Sequence, residues 1–147
     1  MHHTKQPIDM LVEYWSNAKI MHEHVHAIRN EYGGDIKNLV GTEDWSSFKV
    51  YLTFWIASLY VLIEGYETLK IHDGILDSLK SFERDRLRLF RNAVFHFQFD
   101  YAKHLQIFDG TGDFLNWAEE LQEEFDDYFA AHYGLTQEHE TEENSDL

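Results

Sequence analysis

The chain has 147 residues, 44% of them hydrophobic and 16% aromatic, and a formal net charge of −15. Such content supports one folded domain with a core of its own, while the acidity excludes a broad electrostatic grip on nucleic acid. The absence of cysteine excludes disulfides and thiolate metal sites.

The N-terminal stretch MHHTKQPIDM lacks the basic segment and apolar run of a secretory signal. The longest uncharged run, Val50 to Ile63, is shorter than the ~20 residues a membrane helix needs. A soluble, cytoplasmic protein with no membrane contact is therefore expected.

Strand-like alternation is absent and helical spacing recurs. Ile8, Leu11, Val12, Trp15, Ala18, Val25 and Tyr32 mark a first helix, started by Pro7 in its first turn. Gly33 and Gly34 stop it, and a loop over roughly residues 33–42 follows. Thr42 is placed to cap a second helix, with Glu43 and Asp44 in a first turn that favours acids. This helix is expected to run to about Ile71 and is apolar almost all round between Val50 and Ile63, the signature of a central helix. Ile75–Leu79 predicts a short connecting turn after Gly74.

A third long helix is predicted over Phe82–Gln98. The segment 99–113, with Asp109-Gly110-Thr111-Gly112, reads as a loop after one helical turn at Tyr101–Phe108. In the last helix Phe114, Trp117, Ala118, Leu121, Phe125, Tyr128 and Phe129 share one face. Glu119, Glu120, Glu123, Glu124, Asp126 and Asp127 fall on the others, and Gly134 is the expected stop. The fold class that follows is all-α: an antiparallel bundle of four main helices with short connecting helices. Residues 1–134 form its single domain. Residues 135–147, LTQEHETEENSDL, hold five acids and no Lys or Arg and predict a disordered acidic tail. Its simplest role is to keep the chain in solution, with mimicry of nucleic acid or docking to a basic partner as the alternative.

The third helix carries the residues with chemistry. Four of the five arginines, Arg84, Arg86, Arg88 and Arg91, fall on it. At about 100° per residue, Leu87, Phe90, Ala93, Val94 and Phe97 occupy one arc, the core face. The opposite arc carries Arg91, Arg84, Phe95, Arg88, Asn92 and His96 in that angular order, with Arg91 at the core edge. Imidazole moves protons near neutral pH, the guanidinium fork matches phosphate oxygens, and an amide fixes a hydroxyl or a ring. Arg91, Asn92 and His96 thus suffice for metal-free attack of an RNA 2′-hydroxyl on its adjacent phosphate. The competing reading is a solvated polar face.

The stretch FRNAVFHF, residues 90–97, resembles the signature of the HEPN domain, a small helical bundle. Its members carry an Arg, a polar residue directly after it, and a His four to six intervening residues later. Here these are Arg91, Asn92 and His96. The long hydrophobic helix before the motif and the aromatic amphipathic helix after it extend the likeness over residues 8–133. LIEGYETLKI, residues 62–71, resembles the segment that sets an acidic residue near the motif, which puts Glu64 beside it. The resemblance implies a metal-independent endoribonuclease, needing no cofactor, that leaves a 2′,3′-cyclic phosphate and a 5′-hydroxyl. It also implies a homodimer whose motif helices meet in a cleft, RNA or a nucleotide as ligand, and an antitoxin protein as partner for toxin members. Arg84 and Arg88 are the further binding residues. Arg91 and His96 diverge by about 140° on one helix, so a second copy would complete the set. Some members bind nucleotides or partners without cutting, which is the alternative function.

One other motif competes. HEHVH, residues 22–26, matches the zinc-protease pattern, with His22 and His26 on one helix face and Glu23 as the would-be base. No third ligand stands at a family spacing, and His22 shares the apolar stripe with Trp15, Ala18 and Val25. A partly buried, hydrogen-bonded His22 is the expectation, and no residue is assigned to a metal.

Overall fold

The computed structural model describes residues 6–95 and 113–145, with the helical backbone alone over 133–145. Among the described residues the chain is all helical. α1 spans Pro7–Glu31, α2 Trp45–Thr68, α3 Gly74–Leu79, α4 Arg84–Phe95 and α5 Asp113–Ser145, and a 3-10 turn, Ile36–Asn38, lies between α1 and α2.

Local chemistry sets most of these boundaries. Pro7 fills the first turn of α1, and the Gln6 backbone N–H donates to the Asp9 carboxylate at 3.1 Å. The α1 end is a Schellman motif: Gly34 N–H donates to Arg29 C=O at 2.9 Å and Gly33 N–H to Asn30 C=O at 3.2 Å. Gly33 takes the left-handed conformation (φ +79°) that this closure demands. α2 ends in the same way three residues earlier than the expected Ile71. There Ile71 N–H donates to Tyr66 C=O at 3.2 Å and Lys70 N–H to Glu67 C=O at 3.0 Å, with Lys70 itself at φ +55°.

Two other boundaries differ from expectation at their N-terminal ends. Thr42 does not cap α2: its hydroxyl donates to Leu39 C=O at 2.7 Å, and the helix starts at Trp45 after Asp44. The Asp44 carboxylate instead accepts from Tyr32 Oη at 2.7 Å, tying the end of α1 to the start of α2. α4 starts at Arg84, leaving Phe82 outside it and 79% exposed. The expected turn Ile75–Leu79 is the helix α3, capped by Asp73 accepting from Ile75 and Leu76 N–H.

The last helix runs on through Gly134 to Ser145, so the expected stop is absent and residues 135–145 are helical where a disordered tail was predicted. One glycine costs a helix interior about 1 kcal/mol, and the Gln and Glu residues that follow are good helix formers. The expected structure at Gln98, Tyr101–Phe108 and Asp109–Gly112 lies outside the described residues.

α2 is the central helix. It packs against α1, α4 and α5, and Leu52, Trp55, Ile56, Leu59, Leu62 and Ile63 are all buried. By length and composition α2 alone among the described helices could cross a membrane, yet more than half of its apolar stretch is buried in the bundle, which accounts for its hydropathy. Gly65 lets α1 approach, since a Cβ there would stand 2.5 Å from Leu11 Cδ1. The pairs Tyr60–Arg91 and Glu67–Arg84 run α4 antiparallel to α2. From α5, Phe114, Trp117, Ala118, Leu121, Phe125 and Phe129 face the core, as their spacing predicts.

One polar chain crosses this core. Trp55 Nε1 donates to Gln122 Oε1 at 2.8 Å, Gln122 Nε2 to Asp126 Oδ1 at 2.8 Å, and Trp15 Nε1 to the same Asp126 oxygen at 2.7 Å. Gln122 is fully buried, so its amide is satisfied on both ends, as a buried polar group must be. Asp126, half-buried, therefore anchors this chain at the border of the core, although its spacing put it on a polar face. The network joins α1, α2 and α5.

Candidate functional site

Two polar clusters lie along the seams of the bundle. The first is on the α2–α4 seam, where Leu87, Phe90 and Ala93 bury the core face of α4 as predicted and Val94 is half-buried. Arg84 and Arg91 do not stand on a face opposite the core. They turn toward α2, at the border of the buried arc, where carboxylates await them.

Arg84 Nε donates to Glu67 Oε1 at 2.9 Å, and Lys80 Nζ reaches the other Glu67 oxygen at 3.7 Å. The hydrogen bond to Glu67 raises the Arg84 pKa further above its ordinary value. Arg91 Nη1 lies 3.3 Å from Glu64 Oε1, and its guanidinium carbon sits 4.7 Å from the centre of the Tyr60 ring. Arg84 approaches the same ring at 5.6 Å. One tyrosine thus serves both arginines as a π surface. Arg91 Nε is buried and has no hydrogen-bond partner among the described residues, a state that ordinarily costs on the order of 1–3 kcal/mol.

Asn92 and Arg88 follow on the same helix, both half-buried, and Arg88 makes no ion pair among the described residues. His96, the proton carrier of the sequence motif, lies outside the described residues. The seam therefore gathers Arg84, Arg91 and Glu64. Arrays of this kind hold guanidiniums in fixed planes while leaving donors unspent, which is what recognition of a phosphate requires.

The second cluster is on the α1–α5 seam and was not legible as a set. His22 and His26, one turn apart on α1, both aim Nε2 at Glu119 Oε2 of α5, at 2.5 and 3.3 Å. Arg29 Nη1 stands 4.0 Å from the other oxygen, Oε1. The His22 ring lies 4.5 Å from the Trp55 ring and 4.4 Å, edge-on, from His26. Burial pushes the Glu119 carboxyl upward, but the hydrogen bond from His22 and the two imidazoles outweigh it and hold the group below the ordinary carboxylate range. His22 is thus partly buried and hydrogen-bonded, as expected. Glu119 was placed with the acids off the apolar face of the last helix, but its side chain is only 24% exposed and turns to α1. Glu23, the base of the protease pattern, is exposed and makes no hydrogen bond among the described residues.

What fold and sites together define is an all-α helical bundle with one cationic and one imidazole–carboxylate seam. Compared with known protein families, characterised proteins and solved structures, the chain matches none.

Proposed function

We propose that this chain is a HEPN-like cytoplasmic protein that binds and cuts RNA as a homodimer, with Arg91, Asn92 and His96 as the catalytic set. Arg84, Arg88 and Glu64 are its supporting residues. The observation that supports this most is the setting of Arg91, which leans on the Tyr60 ring and on Glu64 with Nε unspent. An ion pair this exposed adds only about 0–1 kcal/mol to stability, too little to offset a buried, unsatisfied nitrogen. Its larger effect is to fix the plane of the guanidinium fork beside Asn92.

In this reading the reaction needs no metal. An imidazole takes the proton from the RNA 2′-hydroxyl, the 2′-oxygen bonds to phosphorus, and the bond from phosphorus to the 5′-oxygen breaks. An imidazolium returns a proton to that leaving oxygen. Arg91 neutralises the charge that develops on the non-bridging oxygens. Two copies of His96, one from each protomer, fill the acid and base roles.

Pairing is supported by the apolar surface next to the stripe. Phe54 and Phe95 are 37% and 47% exposed and meet edge to face at 5.6 Å. Phe95 also lines a shallow groove with Tyr14, Ile20, Met21 and Val61. In a toxin member of this class, an antitoxin would bind the same face.

The test is turnover of RNA by purified protein in EDTA. Cleavage is expected to yield a cyclic phosphate, to fail on a 2′-deoxy linkage, and to fall by about 100-fold or more in His96→Ala and Arg91→Ala. Equal turnover by the wild type and His96→Ala would overturn the reading. A dimer that binds nucleotide through Arg91 without cleaving RNA would replace it with a binding module of the same fold.

A further inference from the structure

We infer that His22, His26 and Glu119 form a binding site for one divalent transition-metal ion that clamps α1 to α5. The three donor atoms lie within 4.8 Å of one another and come from two helices. The sites of the previous subsection play no part in it.

The donor chemistry is specific. Two neutral imidazoles and one carboxylate, with no thiolate, suit zinc and its neighbours among the first-row metals rather than calcium or magnesium. Zinc bonds of about 2.0–2.2 Å in a tetrahedron place ligand atoms about 3.3–3.6 Å apart. His26 Nε2 already stands 3.3 Å from Glu119 Oε2. His22 Nε2 stands at 2.5 Å, and a rotation that opens this pair by about 1 Å brings it to the same span. The ion then takes the place of the direct His22–Glu119 contact, and each ligating imidazole carries its proton on Nδ1.

The surroundings hold the ligands in place. Arg29 draws one carboxylate oxygen toward itself and leaves the other aimed at the imidazoles. Trp55, fully buried, packs its ring 4.5 Å from His22 at a tilt of 31° and limits the imidazole's rotation. Outer contacts of this kind orient metal ligands and tune their affinity. His26 is 45% exposed on its side chain, which gives the ion an entry path and leaves a coordination position to water. A simple hydrogen bond between His22 and Glu119 would not need a second imidazole aimed at the same oxygen. The site also departs from the protease pattern, because Glu23 lies exposed beside the helix and takes no part.

The experiment is titration of the EDTA-stripped, desalted full chain with zinc by calorimetry and with cobalt by visible absorption. Expected are one ion per chain, a tetrahedral or five-coordinate cobalt spectrum, and a thermal midpoint that rises with zinc concentration. His26→Ala and the near-isosteric Glu119→Gln should each weaken binding about 10–100-fold or more and abolish the cobalt bands. His2→Ala/His3→Ala should bind as the wild type does. Helical circular dichroism shows whether each variant folds, and the half-exposed His26 keeps the test sound if Glu119→Gln does not. Absence of binding, or binding untouched by His26→Ala, would overturn the inference. RNA turnover in EDTA reports on the other seam alone, so the two ideas fail separately.

Discussion

The α2–α4 seam and the α1–α5 seam solve the same packing problem with different chemistry. Each joins an amphipathic helix to its neighbour, and each has carboxylates facing cations across the border of the core. On α2–α4 the cations are guanidiniums, charged at every physiological pH, and they are shared between Glu67, Glu64 and one tyrosine ring. On α1–α5 two of the three are imidazoles, whose charge is conditional, and both converge on one oxygen of Glu119. As proposed, the seam of permanent cations takes an anion, and the seam of imidazoles around a single carboxylate takes a metal ion. The same amphipathic pattern thus yields two polar clusters of different chemistry, one on α2–α4 and one on α1–α5.

This contrast breaks most visibly at the level of activity. Arg91→Ala and His96→Ala should lower RNA cleavage by about 100-fold or more, whereas His26→Ala should leave the rate within about twofold. Parallel single-turnover assays on the three proteins would show it. If His26→Ala lost activity as severely, the seams would not be independent.

The next largest effect tests how firmly α1–α5 is built. Gln122→Leu removes the acceptor of buried Trp55 Nε1 and one donor to Asp126, and should cost about 1–3 kcal/mol in urea unfolding. A cost near zero would mean that the polar chain through the core contributes shape alone.

Replacing Lys70 sharpens a smaller point at the end of α2, beside Glu67. Lys70→Gly relieves a left-handed conformation that penalises a side chain by about 1–2 kcal/mol. The greater freedom of glycine in the unfolded chain takes back part of this. A net gain of about 1 kcal/mol or less is expected, seen as a higher urea midpoint with an unchanged slope.

The smallest effect belongs to the carboxylates of α2–α4. Glu64→Gln should change stability by less than about 1 kcal/mol, because Glu64 is 43% exposed and its pair with Arg91 is screened by water. Phosphate or RNA affinity is the more sensitive measurement, since the substitution frees the orientation of Arg91. Full binding with unchanged stability would leave Glu64 without a role.

Helix ends show what was readable and why. The Schellman closure of α1 is announced by Gly33-Gly34, because glycine adopts positive φ without penalty. α2 ends in the same hydrogen-bond pattern at Lys70, and no residue type signals it. Conversely, Gly134 announces an end that the helix passes through. A glycine permits a stop, while neighbouring good helix formers can carry the backbone past it.

The two seams differ in the same respect. Arg84 and Arg91 were named from helical spacing and a short motif on one helix, and Glu64 from the resemblance of residues 62–71 alone. Their orientation toward α2 was not legible, since angular arithmetic ranks residues around an axis but does not say how wide a neighbouring helix will cover them. Glu119 was missed altogether. It is one acid among many on its helix, and it lies 97 residues from His22 and 93 from His26.

The sequence by itself determined the helices and their buried faces, because the 3.6-residue period sorts apolar from polar side chains before any tertiary contact exists. It also determined that the third helix would concentrate arginine. Only the tertiary structure decided which polar side chains meet. Pairs such as Arg91 with Glu64, and the triangle of His22, His26 and Glu119, depend on the packing of helices side by side, and no local rule links residues so far apart along the chain.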